Sequence, residues 1–250
     1  MEKGYQVVDG VGYIPEGTEE VVNYAFEHSE ELREIDIPDS VKNIGMAAFV
    51  KCKKLTRVTF PNSLKEIGMI AFSGCKSLRE IRLPNSLTSI GSAAFNGCTK
   101  LERVNLPNSL KEIMAYAFEN CKTLTEIEIP NSLSRIENKM FANCVKLTNV
   151  IIPESVIEVG CSAFESCISL TEIILPQSLT TIAPEAFKGC VGLKKVVLPK
   201  SIQRIEDFAF MGCTGLSEVV FPDNEVHVSQ FAFLNCKAFL IPKSAKVVVW

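Results

Sequence analysis

At 250 residues, 47% hydrophobic and 22% charged, the chain can bury a sizeable core and lies far from the disordered range. Its net charge is −3, with Lys/Arg and Asp/Glu interspersed along the chain, which argues against a nucleic-acid footprint, since that needs basic residues gathered on one face. No apolar run approaches the roughly 18–20 residues of a membrane span, so no membrane insertion is expected, and the start MEKGYQVVDG lacks the basic-then-apolar order of a secretion signal, which leaves open a protein kept inside the cell or a segment separated from its leader.

Residues 1–13 fit no regular pattern and read as an N-terminal cap, GYQVVDGVGY covering whatever follows. From there a period takes over. Prolines fall at Pro15, Pro38, Pro61, Pro84, Pro107, Pro130, Pro153, Pro176, Pro199 and Pro222, and phenylalanines at Phe26, Phe49, Phe72, Phe95, Phe118, Phe141, Phe164, Phe187, Phe210 and Phe233. Every interval in both series is 23 residues. The unit is L-x-x-I-x-I-P-x-S-L-x-x-I-x-x-x-A-F-x-x-C-x-x, and it is numbered 1–23 below.

Each unit yields three elements, illustrated by the coil that starts at Leu170. In LTEIIL, positions 1, 4 and 6 point inward and positions 3 and 5 outward, the alternation of a short strand. Proline ends it, having no N–H to donate, and the following x-S is turn chemistry. SLTTI buries Leu179 and Ile182 as a second, shorter strand. AF-x-x-C, with Phe187 and Cys190 at i, i+3, reads as one helical turn. One unit cannot bury its apolar face alone, but stacked units can.

The expected fold is therefore a β-rich solenoid of about ten 23-residue coils. It is right-handed by the crossover rule, has a parallel sheet on the concave face, and places short strands and helical turns elsewhere. It is read as a single domain over 1–250, with repeats over 14–236 and a C-terminal cap or truncated repeat over 237–250. In that last segment PKSAKVVV recovers half a unit through Ser244, Ala245 and Val248, and VVVW forms an apolar edge that needs covering.

The unit resembles the BspA-like leucine-rich repeat, the 23-residue type, over about residues 13–241. The resemblance implies a leucine-rich-repeat superhelix and a non-enzymatic, often cell-surface protein that binds other proteins or host matrix. It implies no fixed binding residues. No secretion signal, membrane segment or wall anchor accompanies it in this sequence.

Nine cysteines share position 21, and Cys161 is additional. They form a line, with only His28 and His227 in the whole chain, whereas a zinc site needs Cys/His sets converging on one point. Neighbouring rungs would lie near the 4.4–6.8 Å window of a disulfide, so distance leaves bridges open. The inward, small and repeated position favours reduced thiols packed behind each Phe. No catalytic or nucleotide-binding motif occurs, and no enzyme activity and no cofactor are expected.

Function is expected on the concave sheet. Position 3 alternates in sign, with Glu34, Arg57, Glu80, Arg103 and Glu126 in its first five rungs. Opposite charges on adjacent strands fix register, or else form a polar recognition surface joined by Arg82 and Glu128 at position 5. Position 5 itself changes character, from Asp36, Thr59, Arg82, Asn105 and Glu128 to Ile151, Ile174, Val197 and Val220. The change reads as local to this column, since position 2 stays polar, and the four aliphatic residues are the candidate partner-binding stripe. The expected function is protein–protein recognition through this face, at the cell surface if the resemblance holds. An intracellular scaffold, a carbohydrate-binding solenoid, and self-association through the concave face or a terminal edge stay open.

Overall fold

A computed structural model describes residues 4–236 and 247–249 of the chain. The fold divides into two compact units, Met1–Leu124 and Thr125–Trp250. In the first, strand β1 (Gln6–Val8) pairs antiparallel with β2 (Val11–Tyr13), which in turn lies parallel to Glu34–Asp36. Asp9 (φ 51°) and Gly10 (φ 86°) make the two-residue turn between them, the geometry that suits a hairpin's twist. Tyr5, just ahead, sets its ring edge-on to Phe26 and closes that end of the core.

Behind this hairpin the expected rungs appear. Outward strands at positions 3–5 are Glu34–Asp36, Arg57–Thr59, Glu80–Arg82 and Arg103–Asn105. The second, shorter strands at positions 12–13 form one five-stranded parallel ladder from Glu20–Val21 to Glu112–Ile113. In the second unit the outward strands run from Glu126–Glu128 to Glu218–Val220, and the short strands continue in parallel from Arg135–Ile136 to Val226–Val228. The described residues thus carry nine complete rungs rather than ten coils. The first unit of the series starts on the hairpin, where Gly12 stands at the inward position, its missing side chain's space already taken by Leu32 and Ile35.

The C-terminal strand Val247–Val249 pairs with Val226–Val228, with Val249 opposite Val228 and Val248 opposite the exposed His227. Val248 is exposed, so the half unit is out of step by one residue with the expected placement of Val248 inward. Ser244 and Ala245 lie outside the described residues.

No helix forms among the described residues. The AF-x-x-C segment is a run of turns whose amides alternate in purpose. Ala25, Glu27 and Ser29 N–H groups donate back to Val22, Tyr24 and Phe26 within the coil, while Tyr24, Phe26 and His28 N–H groups donate onward to Met46, Ala48 and Val50 of the next coil. No amide of this stretch is stranded in the core. The alternation requires left-handed residues at positions 16 and 20, seen at Tyr24 (φ 61°) and His28 (φ 57°) and recurring at Ala47 and Lys51, Ile70 and Gly74, and onward. Positive φ is what the third residue of a type II turn needs, and it is incompatible with a helix.

The side chains complete the stack. The phenylalanines lie parallel at 4.9–5.4 Å from Phe26 to Phe118. In the second unit they lie at 5.2–5.6 Å from Phe141 to Phe233. All ten cysteines are free, and those of the ladder donate S–H to the carbonyl of Phe one coil earlier, as Cys98 does to Phe72 at 3.3 Å. Burial pushes the thiols of Cys52, Cys98 and Cys190 up to about 12. Cys75 and Cys167 are raised by the same burial and, secondarily, by neighbouring thiols. The repeated serine is also a rung-to-rung tie: Ser63, Ser86 and Ser109 hydroxyls donate at 2.6 Å to the carbonyls of Val41, Leu64 and Leu87.

Backbones of successive coils approach closely at position 14. A Cβ on Gly91 would sit 2.6 Å from the Met69 nitrogen and 2.7 Å from the Gly68 carbon, where only backbone could yield. Gly91→Ala should lower stability by about 1–3 kcal/mol, read as a lower urea midpoint at unchanged m-value. An unchanged midpoint would show that the rungs part freely at this point.

Candidate functional site

The outward residues of the sheet form two surfaces, one in each unit. In the first, in-register pairing sets Glu34 opposite Arg57 and Glu80 opposite Arg103. Arg57 is a fork: Nη2 donates to Glu34 Oε2 at 2.8 Å and Nη1 to Asp36 Oδ1 at 2.7 Å. The Thr59 hydroxyl and then the Arg57 guanidinium hold the Asp36 carboxyl below the usual carboxylate range. Arg82 Nε turns to Glu80 of its own strand at 2.8 Å, and Arg79 reaches Glu102 at 2.6 Å. Arg103 is exposed and makes none of the ion pairs found among the described residues. The Arg57 and Glu80 strands are not hydrogen-bonded to one another, and a shallow hollow of about 540 Å³ lies over them, lined by Arg57, Thr59, Phe60, Arg79 and Arg82. Most of the polar candidates thus satisfy one another. Opposite charges on adjacent rungs serve register first.

The second unit differs. Ile151, Ile174, Val197 and Val220 all face solvent, at 51%, 79%, 51% and 39% exposure. Val197 pairs with Val220 in register. Ile174 is the most exposed because it lies one residue past its two-residue strand, Glu172–Ile173, which does not pair with Asn149–Ile151. Lys195 Nζ is bound to Glu218 at 2.8 Å, whereas Glu126, Glu128 and Glu172 are exposed and enter no ion pair among the described residues. The rim of the stripe is net acidic.

The change of character is not confined to position 5. Position 22 runs Glu30, Lys53, Lys76, Thr99 and Lys122, then Val145, Ile168 and Val191 before returning to Thr214, with Ile168 and Val191 45% and 44% exposed. Position 22 thus carries three successive aliphatic residues in the second unit, where the first unit carries charged and polar ones. The lysines also correct the reading of interspersed charge: residues 23 apart are neighbours in space, so a basic edge forms in the first unit although no basic run exists in the sequence. Its signal was available by aligning the units and reading position 22 downward.

Among the described residues, no three His, Cys, Asp or Glu side chains stand together as metal ligands, and no helix is long and apolar enough to cross a membrane.

Comparison with known proteins bears on the same repeats. The model of the BspA type leucine-rich repeat region matches residues 19–148 and 134–247. The chain belongs to this family. Its BspA-type repeats also place it near solved bacterial structures. A leucine-rich repeat protein of T. pallidum is 32% identical, with 66% of this chain and 86% of that one covered and a TM-score of 0.59. The pneumococcal vaccine antigen PcpA is 25% identical, with 93% and 66% covered and a TM-score of 0.54. A leucine-rich repeat protein of Eubacterium ventriosum shares the fold at 18% identity, with 98% and 91% covered and a TM-score of 0.52. No curated protein matches. As in other solenoids of stacked repeats, the BspA-type coil leaves its outward columns free to vary without disturbing the packed ones.

Proposed function

We propose that this BspA-type solenoid is a non-catalytic recognition module that binds a protein partner across the outward sheet face of its second unit. The observation that carries the reading is the row Ile151, Ile174, Val197 and Val220, 39–79% exposed on a column that holds Asp36, Thr59, Arg82 and Asn105 in the first unit. Strand propensity does not account for it, because the earlier rungs form the same strands without β-branched aliphatics at every step. Exposed apolar surface rimmed by charge marks an interaction site. With Glu126, Glu128 and Glu172 uncompensated beside it, the fitting partner is an extended segment that alternates apolar with basic side chains. A cell-surface, host-facing setting is the one we favour, on the likeness to the pneumococcal vaccine antigen.

A random peptide library displayed on phage and selected on the immobilised protein tests this. Enriched peptides should alternate apolar residues with Lys or Arg. Ile174→Glu with Val197→Glu should weaken their binding by more than about tenfold, since two contacts of about 1 kcal/mol each are replaced by buried charge. The thermal midpoint should hold, as both side chains face solvent. Enrichment of peptides that bind the double variant equally well, or no enrichment at all, would reject the stripe as the binding surface.

A further inference from the structure

A second surface lies on the turn edge of the first unit, away from the outward sheet positions. A groove of about 480 Å³ runs along the turns there, with Lys51, Lys53, Lys76 and Lys122 on its walls, His28 at one end, and neutral polar residues such as Thr99 between. Three of the lysines occupy position 22 of their coils. At about 4.8 Å per rung, Lys53 and Lys76 stand side by side and Lys122 lies about 14 Å from Lys53.

These lysines are exposed, and none enters an ion pair among the described residues. Several other cations of the same unit are matched, Lys42 with Glu19, Arg57 with Glu34 and Asp36, Arg79 with Glu102, and Arg82 with Glu80, although among the described residues Arg103 on the sheet face is not. The acids nearest the groove are occupied or peripheral. Glu27 contacts His28 and Glu119 accepts from Asn96, while Glu30, at position 22 of the coil before Lys53, shares a hollow with His28, Lys51 and Lys53 at the first-coil end of the row. Like charges on neighbouring rungs destabilise a stack. The fold does not need lysine here, because the second unit places Val145, Ile168 and Val191 at the same position. A basic row whose lysines enter no ion pair among the described residues, with an acid at position 22 only at its first-coil end, and which serves no packing purpose, fits a ligand of opposite charge.

We propose that this groove binds an acidic polysaccharide, a chain of sulfated or carboxylated sugars lying along the turns. The linear array matches a polymer better than a small anion, since its charges are spread over about 14 Å. Nucleic acid fits less well. Single strands are held by aromatic side chains that stack on bases and by arginine, and the groove has no Phe, Tyr, Trp or Arg. Sugars held through their anionic groups need no stacking partner, and flexible ammonium groups beside hydroxyls and amides suit them. The chain's net charge of −3 confines the attraction to this edge.

The test uses heparin as the probe sulfated polysaccharide and single-stranded homopolymer DNA of similar length as its rival, each titrated onto the full chain. Heparin should bind, and its log affinity should fall linearly with log salt between about 50 and 200 mM NaCl. Lys53→Gln with Lys76→Gln and Lys122→Gln should weaken heparin more than about tenfold and flatten that salt dependence. Lys65→Gln with Lys111→Gln and Lys200→Gln removes the same charge from exposed positions outside the groove and should leave affinity within about twofold. Equal losses in both triple variants, no heparin binding, or tighter binding of the DNA would each overturn the proposal. The phage-selected peptides should bind the groove variant unchanged, so failure here is separable from failure of the sheet-face reading.

Discussion

Raising the pH from 8 to 10 should lower the stability of the fold by several kcal/mol, on the order of 1 kcal/mol per buried thiol. Cys52, Cys98 and Cys190 are pushed up to about 12 by burial, and Cys75 and Cys167 are raised as well, against 9.0 for a free thiol. A group whose pKa is higher folded than unfolded holds its proton longer in the folded state. Above pH 9 the unfolded chain therefore binds fewer protons than the folded one, and the unfolding free energy falls as pH rises. The contribution is complete below about pH 9 and lost progressively toward the folded value. At pH 10 each of the three thiols pushed up to about 12 removes roughly 1 kcal/mol, and Cys75 and Cys167 act in the same direction, against the 5–15 kcal/mol of an ordinary domain. Urea midpoints at pH 8, 9 and 10 measure it. Cys98→Ser keeps a donor for the Phe72 carbonyl but does not ionise in this range, so its pH dependence should be shallower by one thiol's share. A total loss below about 1 kcal/mol by pH 10, or a Cys98→Ser variant that tracks the parent, would show that the ladder opens to solvent at little cost.

The same ladder shows where sequence suffices. The inward positions are legible because burial repeats: Phe at 18, Cys at 21 and Leu at 1 recur every 23 residues, and each is buried in almost every coil. The strands follow from alternation, and Pro at 7 ends them. The AF-x-x-C segment is not legible in the same way, since i, i+3 spacing of Phe and Cys fits a helical turn as well as a run of β-turns. Half of the deciding signal was present, in Gly74, Gly97, Asn120, Asn143, Gly189 and Gly212 at position 20, residue types that accept positive φ. The other half was not. Position 16 holds Tyr24, Ile70 and Phe208 with equally positive φ, imposed by bonds from the adjacent coil, such as Ile70 N–H to Ser92 O at 2.9 Å. Bonds between coils are long-range and leave no local trace. At the N-terminus, Asp9-Gly10 between short apolar runs is a hairpin signal, and the hairpin is there.

For the candidate surfaces the balance reverses. The outward facing of Ile151, Ile174, Val197 and Val220 follows from the strand period alone, and their exposure agrees with it. The pairing of the charges does not follow. Alternation of sign at position 3 predicts neighbours but not that Arg57 would take two carboxylates while Arg103 takes none, because rotamer choice and the break between the Arg57 and Glu80 strands decide that. The basic edge was hidden for a further reason: charge looks interspersed along a chain that a 23-residue wrap then sorts into columns.

Replacing Phe72 with Ala should cost about 3–5 kcal/mol, the range for losing a buried aromatic ring from a core that collapses only partly. Phe72 is fully buried. Its ring lies parallel to Phe49 at 4.9 Å and to Phe95 at 5.4 Å, and Phe60 meets it edge-on at 5.7 Å. The parallel arrangement is set by the repeat: identical residues on successive coils are carried to the same place one rung along, so the rings stack with nearly parallel planes. Alanine leaves the backbone roles intact, since the Phe72 amide still donates to Ala94 and its carbonyl still accepts from Cys98. The loss is then that of the ring and the void it leaves. Glu16→Ala, at an exposed turn position, should stay within about 0.5 kcal/mol and provides the baseline. Phe72→Ala and Phe95→Ala combined should not add, because the two rings line one cavity, and the coupling energy of the cycle reports their contact directly. Calorimetry or urea unfolding decides the matter. A Phe72→Ala cost near that of Glu16→Ala, or strict additivity with Phe95→Ala, would mean that the aromatic stack does not hold the coils together and that the turn and strand hydrogen bonds do so alone.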